Sequence, residues 1–204
     1  MKKHVSELTP EELQRTFPIV LKETNPDYSS WYEEEEKKIR SVLPEKNIVR
    51  INHIGSTAIP NIKAKPIVDI LLEMDGACPM DEAVESLKGI EFGVEILRRR
   101  DDPFELLMAK GMTVNGFAEK VFLLHLRRAG NWDELYFRDD LLDHPDAALE
   151  YSRLKEQILT DIQNGKIQRM PNGQPNGYSK AKLAFVTAVS RKAKEGYGNR
   201  YSLA

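Results

Sequence analysis

The sequence lacks the features that would place it in a membrane or outside the cell. Its 204 residues contain one cysteine, Cys78, so no disulfide can form within the chain, and we expect a reducing compartment. No run approaches the roughly 20 apolar residues that a helix needs to cross a bilayer. The first residues, MKKHVSELTPEE, carry no apolar segment of the kind found in secretory signals. We therefore expect a cytoplasmic protein with no membrane partner.

The chain also lacks a charge imbalance. Its 30 lysines and arginines are matched by 32 acidic residues, which gives a formal net charge of −2 at pH 7. Long-range attraction to nucleic acid needs a positive field, so we expect no nucleic-acid partner. Any site for an anion must be built locally from a few side chains.

Several common catalytic signatures are missing as well. The sequence has no HExxH, CxxC or GxSxG pattern, which argues against zincins, zinc ribbons and typical serine hydrolases. Cys78 stands beside Pro79 with no paired histidine, so we do not expect a catalytic thiol.

The hydrophobic period changes along the chain, and this change predicts the fold class. Between about residues 46 and 128, runs rich in Val, Ile, Leu and Phe are separated by turn residues and interrupted by one clear helix, Met80–Lys88. Both flanks, residues 9–43 and 133–195, have helical periodicity. We predict a single α+β domain over residues 1–204, with a mostly sequential mixed sheet of about five strands and helices packed on it and at both ends. The predicted strands are Asn47–Ile54, Ile67–Met74, Phe92–Arg98, Phe104–Lys110 and Lys120–Arg127.

Local signals place the other helices. Thr9–Glu12 has the residue order of a capping box with proline at the first helical position. A sparse apolar stripe predicts a helix over Ser30–Leu43, and apolar residues three and four apart predict helices over Pro145–Asn164 and Tyr178–Lys194. The intervening QRMPNGQPNG is predicted to be a loop and is a candidate cover for a site.

The most informative stretch is HIGSTAIPNIKAKPIVDILLEM, residues 53–74. Alternation along a strand puts Val68, Ile70, Leu72 and Met74 on one wholly apolar face and Asp69 on the opposite face. An unpaired carboxylate is costly to remove from water, so Asp69 needs a cation, a hydrogen-bonding partner or water. Taken alone, Asp69 could equally be paired with a neighbouring arginine and have no role in function.

A Gly-Ser-Thr turn precedes this strand. Gly55 permits close approach of the backbone to a ligand, and the hydroxyls of Ser56 and Thr57 can donate hydrogen bonds to an anion. The same residue types commonly cap a turn, so a purely structural role stays open. The glycine spacing fits neither a Walker A loop nor a dinucleotide-binding fingerprint.

The turn and the acid together resemble a known pattern. A strand, a Gly-Ser turn and an acid in the next strand about a dozen residues later resemble the nucleotidyltransferase fold. More specifically, HIGSTAIPNIKAKPIVDI resembles the signature of the GrpB-like family of that superfamily. Three further segments agree in order over most of the chain: GFAEKVFLLHLR at 116–127, YFRDDLLDHPDAALEYSRLK at 136–155 and GYSKAKLAFV at 177–186.

This resemblance implies a site for an NTP or another phosphorylated small molecule. It implies that Gly55, Ser56 and Thr57 hold phosphate, that Asp69 binds a divalent metal, taken as Mg²⁺, and that His125 is a ligand or proton carrier beside Asp69. Such a set would supply the charge neutralisation and positioning that phosphoryl transfer needs. A lone histidine in an apolar strand is also a common core residue.

Five further residues are implied as substrate-binding: Lys65, Arg138, Lys155, Tyr178 and Lys182. Lys65 precedes a proline, which holds it in an extended conformation before the Asp69 strand. Tyr178 and Lys182 are four residues apart and share a helix face. Ordinary alternatives are an exposed turn for Lys65 and a local ion pair for Arg138, which two aspartates follow.

Two positions depart from the family pattern. Leu71 stands where active nucleotidyltransferases carry a second acid, and Leu123 replaces one of two histidines, leaving His125. Glu73 lies about 6.6 Å beyond Leu71 at ~3.3 Å per residue, too far from Asp69 to share one ion with it in an ideal geometry. These departures weaken a two-metal mechanism and leave a single Mg²⁺ completed by water and substrate phosphates.

Two kinds of function therefore remain open. One is Mg²⁺-dependent transfer of a nucleotidyl group from an NTP to a small acceptor. The other is a non-catalytic module that binds a nucleotide or phosphorylated metabolite and has lost the pair of metal-binding acids.

Overall fold

Six α-helices and one five-stranded mixed sheet make up the regular structure of residues 5–99, 104–167 and 176–203, the part of the chain that the computed structural model describes. The α+β class predicted from the sequence is confirmed. None of these helices is long and apolar enough to cross a membrane. The predicted loop QRMPNGQPNG falls largely outside the described residues. The helices are α1 (Pro10–Thr16), α2 (Tyr28–Val42), α3 (Met80–Lys88), α4 (Asp133–Asp143), α5 (Pro145–Gln163) and α6 (Asn176–Tyr197).

The strands follow one another in the chain but not in the sheet. Their order is β1-β2-β5-β4-β3, so the last strand lies between the second and the fourth. The β2–β5 pair is parallel and the other pairs are antiparallel. The sheet therefore departs at one place from the mostly sequential order expected from the sequence. The strands are β1 (Ile48–Ile54), β2 (Val68–Met74), β3 (Val94–Arg99), β4 (Glu105–Thr113) and β5 (Gly116–Arg128).

One face of the sheet carries the main hydrophobic core. The apolar residues of β2 that alternation assigned to one face all lie here, and their side chains are fully buried. Leu124 and Leu126 of β5 and Met108 of β4 extend the same surface. Helices α2 and α3 cover it with apolar residues that include Ile39, Val84 and Leu87. Burial of this surface is the main favourable contribution to folding.

Charged residues cross the opposite face of the sheet in a row. The strand register aligns Arg50, Glu73, Arg127 and Glu105 on neighbouring strands. Glu73 is fully buried, and Arg50 donates to both of its carboxylate oxygens, at 2.9 and 2.7 Å. The backbone N–H of Gly130 adds a third donor at 3.0 Å. A buried carboxylate is tolerated here because it is fully paired.

The first helix begins as its sequence predicts. The Thr9 side chain accepts a hydrogen bond from the Glu12 N–H, and the Glu12 carboxylate accepts one from the Thr9 N–H. Helix α3 has the bounds expected from the sequence, and α2, α5 and α6 differ from their predicted ends by at most three residues. Strand β5 begins four residues earlier than predicted, because a hairpin turn at Thr113–Gly116 extends its pairing with β4.

We expect Arg50→Met to lower the free energy of unfolding by about 3 kcal/mol, because it leaves the buried Glu73 carboxylate without its cation. Urea denaturation followed by circular dichroism measures the loss. Arg40→Met is the matched control, since Arg40 pairs on the exposed side of α2 with Glu36 and Glu45. That variant should lose no more than about 1 kcal/mol. Equal losses of unfolding free energy in the two variants would contradict the argument that burial makes the Arg50–Glu73 pair harder to replace.

Candidate functional site

The Gly-Ser turn lies directly against Asp69. Strand β1 ends at Ile54, which is the register partner of Asp69 in β2. Gly55 follows with φ of 71°, and Ser56 begins a single turn of 3-10 helix. A Cβ atom at Gly55 would stand 2.6 Å from the Asp69 Oδ2 atom. Glycine is therefore required here both by the backbone conformation and by the carboxylate beside it.

Asp69 is bound to His125. The parallel register pairs Asp69 with Leu123 and places His125 two residues further along β5, on the same face of the sheet. The His125 Nε2 atom lies 3.0 Å from the Asp69 Oδ1 atom. Burial alone would raise the pKa of Asp69, but the bond to His125 and the nearby lysines Lys65 and Lys182 lower it. The Asp69 carboxylate is therefore ionised at neutral pH.

Asp69 and His125 open onto a cavity of about 650 Å³. Its volume is within the range typical of small-molecule sites. The wall combines the strand ends with α4, α5 and α6, so residues far apart in sequence meet in it. Among its lining residues are Gly55, Ser56, Lys65, Asp69, His125, Tyr178 and Lys182. Seven of the ten residues implied by the family resemblance thus lie in one cavity wall.

Two lysines flank one aromatic ring in this wall. The Lys65 and Lys182 Nζ atoms lie 5.8 and 5.4 Å from the centroid of the Tyr178 ring, which is itself buried. Burial lowers the pKa of both lysines, and the charge of Lys182 lowers that of Lys65 further, whereas Asp69 raises both. Two partly dehydrated cations thus share the single carboxylate of Asp69, which His125 also contacts.

Thr57 and Arg138 lie outside the cavity wall. The Thr57 hydroxyl is buried, donates to the Ile67 carbonyl at 3.2 Å and lies 3.0 Å from His53 Nε2. Arg138 donates to the Asn52 side chain and the His53 carbonyl at 3.1 Å, and pairs with Asp139. These contacts fasten the turn and the end of β1 to neighbouring elements.

Lys155 lies behind the turn. Its side chain is 1% exposed, and its Nζ atom is 3.1 Å from the Ser56 hydroxyl oxygen. It therefore contacts a residue of the cavity wall without lining the cavity itself.

Many residues of the wall were not singled out as site residues in the sequence, among them Tyr151, Trp132 and Arg127. Tyr151 lies beside Ser56, while Trp132 and Arg127 form a cation–π pair with 4.4 Å between the guanidinium carbon and the ring centroid. Arg127 also pairs with Glu134 at 2.7 Å. For Arg127 the sequence did hold a signal that it lies near the site: it follows His125 by two residues and is therefore on the same strand face.

The donor set does not fit a resident Mg²⁺ ion. Mg²⁺ prefers an octahedron of oxygens, but Asp69 is the one carboxylate beside the turn, and two lysines and a histidine surround it. Leu71, at the position of a second acid, is fully buried beneath Leu135 of α4. No group of three His, Cys, Asp or Glu residues suited to a metal occurs among the described residues.

Comparison with known proteins gives a consistent family result. The model of the GrpB protein family matches residues 18–192. The chain is 29% identical over 193 residues to the UPF0157 protein BH1888 of Halalkalibacterium halodurans, covering 93% of this chain and 90% of that protein. It is 31% identical over 162 residues to the UPF0157 protein YqkA of Bacillus subtilis, covering 71% of this chain but 40% of that protein. The fold is similar to that in the crystal structure of the conserved protein GrpB from Enterococcus faecalis, with a TM-score of 0.67 and 23% sequence identity. The match covers 87% of this chain and 99% of that chain.

Gly55→Ala should destabilise the protein by about 2 kcal/mol or more, because alanine at positive φ is strained and its Cβ would displace the Asp69 carboxylate. Thermal and urea denaturation measure the change. Gly76→Ala is the control, since a Cβ at Gly76 meets no atom within 4 Å. The control should change stability by no more than about 0.5 kcal/mol. A similar small change at Gly55 would argue against the tight contact with Asp69.

Asp69→Asn should lower the free energy of unfolding by about 2 kcal/mol at pH 7, because it removes a charged partner of His125 and the lysines. The folded pKa of Asp69 lies below its unfolded value of 3.8, so wild type holds this advantage above about pH 4. The advantage should disappear as the pH falls through the lowered pKa. Urea denaturation at several pH values tests this, and Glu33→Gln on the exposed side of α2 should show no such pattern.

Proposed function

This chain belongs to the GrpB family, and from the charges in its cavity we propose that it binds a phosphorylated small molecule there, with nucleotides as the first candidates. The observation that carries the proposal is the convergence of the Gly55–Ser56 turn, Lys65 and Lys182 on one cavity of about 650 Å³. Lysine ammonium groups and a glycine-containing turn are common ways for proteins to bind phosphate.

The basic side chains beside the turn support an anionic ligand at that part of the wall. Lys65 and Lys182 are both partly buried, and the lowered pKa of each reflects the cost of holding an ammonium group away from water. Asp69 offsets only part of that cost. A phosphate group between the two ammonium groups would stabilise both charges. Its binding should therefore recover part of the free energy that burial of these charges costs in the unbound cavity.

The rest of the wall suits an organic group attached to the phosphate. Away from the lysines, the wall has apolar side chains, among them Leu123, Phe137 and Val186, and the Trp132 indole. It also has four charged residues: Glu105, Arg127, Asp133 and Glu134. Apolar surfaces bind the apolar or aromatic part of a ligand, while a few polar groups fix its orientation. A nucleotide has both parts.

Nucleotidyl transfer is the second candidate function. One observation favours it: the Gly55 turn stands directly beside Asp69, which is the pairing that the nucleotidyltransferase resemblance implies. The burial of Leu71 at the second-acid position favours binding without transfer. Any Mg²⁺ would enter with the phosphates of the ligand, as part of the substrate.

Titration with ATP, CTP, GTP, UTP and inorganic phosphate, each with and without Mg²⁺, tests the proposal by thermal shift and calorimetry. At least one nucleotide should raise the melting temperature, since ligand at about 100 times its Kd adds ~2.7 kcal/mol to stability. Lys65→Met and Lys182→Met should each weaken binding about tenfold, because each removes one charged contact with phosphate.

Lys46→Met is the matched control for the loss of one positive charge. Lys46 is exposed and lies just before β1, at the end of that strand away from Gly55, so its replacement should leave affinity unchanged. Binding that Mg²⁺ strengthens in wild type but not in Asp69→Asn would favour nucleotidyl transfer. The absence of binding by every nucleotide and by phosphate would contradict the proposal.

A further inference from the structure

A lysine without an ion pair is enclosed beneath the Gly-Ser turn. Helix α5 brings Lys155 to this place, where 1% of the residue is exposed. In the described part of the chain, no carboxylate forms an ion pair with it. Fully buried lysines are normally paired with a carboxylate. The burial of Lys155 without such a partner therefore needs an explanation.

The contacts of Lys155 fix its amine on Ser56. Its Nζ atom lies 3.1 Å from the Ser56 hydroxyl oxygen and is also hydrogen-bonded to the Lys63 carbonyl, on the far side of the turn. The Tyr151 ring packs 4.7 Å from Nζ and reduces its access to water. Ser56 in turn lines the cavity. The amine therefore lies behind two residues of the wall, Ser56 and Tyr151, and of these it is hydrogen-bonded to the Ser56 hydroxyl.

These surroundings favour the neutral amine. The pKa of Lys155 is lowered to about 7, mainly by burial and in addition by the charges of Lys182 and Lys65, while Glu156 partly opposes these effects. A neutral amine has two N–H donors and one lone pair. One N–H satisfies the Lys63 carbonyl. The charged form donates to the Ser56 oxygen at 3.1 Å, and in the neutral form the lone pair can take that place and accept the Ser56 hydroxyl hydrogen, for which the Tyr151 hydroxyl is the other hydrogen-bond partner.

We propose that Ser56 and Lys155 form a nucleophile and general-base pair that takes a phosphoryl group from the ligand bound in the cavity. The Ser56 oxygen forms a bond to phosphorus, and the bond from phosphorus to the leaving oxygen breaks with its electron pair. The hydroxyl proton moves to the Lys155 Nζ atom. A phosphate anhydride is the fitting class of donor, because a phosphate or nucleotide leaving group departs as an anion and needs no proton.

The positions of the other charges agree with this step. Lys65 and Lys182 line the same cavity as the turn and would neutralise the phosphate oxygens. Their charge also adds to the lowering of the Lys155 pKa by burial, so a single cluster of lysines would hold the anion and favour the base form of Lys155. Activation of a hydroxyl by an adjacent base is a general requirement for serine nucleophiles.

The identity of the ligand rests on the proposed function, but the reactivity of Ser56 does not. A fluorophosphonate–biotin probe offers a phosphorus electrophile with fluoride as its leaving group and needs no lysine to bind it. Peptide mapping by mass spectrometry of labelled wild-type protein should find the adduct on Ser56. The labelling rate should rise with pH and level off above a midpoint near 7, as Lys155 loses its proton.

Three variants distinguish a base from a structural lysine. Ser56→Ala should abolish labelling, and Lys155→Met should slow it about 100-fold and remove the midpoint near pH 7. Ser179→Ala is the matched control, because Ser179 is an exposed serine that also lines the cavity and has no lysine contact among those described; it should label like wild type. Circular dichroism and melting temperature establish that each variant is folded.

The outcomes separate this inference from the proposed function. No adduct on wild-type Ser56, or an adduct whose rate follows no titration near pH 7, would overturn the inference even if nucleotides bind. Labelling of Ser56 with the expected pH profile, together with no nucleotide or phosphate binding, would support the pair and contradict the proposed ligand.

Discussion

The Gly55 backbone lies against the Asp69 carboxylate, and the geometry of the whole cavity depends on this contact. It joins the end of β1 to the start of β2, which fixes the position of the turn relative to the sheet. His125 then holds the other carboxylate oxygen from β5. Because Asp69 is held on both sides, it is the fixed point beside which lie Lys65, in the connection between β1 and β2, and Lys182 of α6.

Burial of charge is the general constraint on this face of the sheet. Helices α4, α5 and α6 cover it, so each charged side chain beneath them must be paired or neutral. Glu73 meets the requirement through Arg50. Lys155 has no carboxylate partner among the described residues, and its pKa falls to about 7 instead. The same physical cost therefore accompanies a structural ion pair at Glu73 and a lowered amine pKa at Lys155.

Helices α5 and α6 contribute residues to the site as well as to the core. The aromatic and basic residues of α5 and α6 form the part of the wall that faces the strand ends. Tyr178 and Lys182 extend from one helix, while Tyr151 and Lys155 extend from the other, each pair four residues apart. This spacing puts both members of a pair on one helix face. Each helix thus supplies an aromatic ring and an amine to the neighbourhood of the Gly55–Ser56 turn.

The sequence by itself determined the secondary structure, the apolar face of β2 and the isolation of Asp69 on the other face, because alternation and capping are local properties of the chain. It also marked seven of the residues that meet in the cavity wall, through the family resemblance. Only the tertiary structure decided which of these residues share the wall. The insertion of β5 beside β2 brings His125 to Asp69, and no local pattern encodes that pairing.

The separation of Lys155 from the other lysines was likewise decided by the fold. In the sequence, Lys65, Lys155 and Lys182 have the same charge and the same expected role. Burial depends on which elements pack around a side chain, so helix packing leaves Lys65 and Lys182 facing the cavity and encloses Lys155 behind Ser56. The same packing placed Arg138 in structural hydrogen bonds with β1, a distant segment of the chain, whereas the Thr57 hydroxyl is bound by nearby residues, Ile67 and His53.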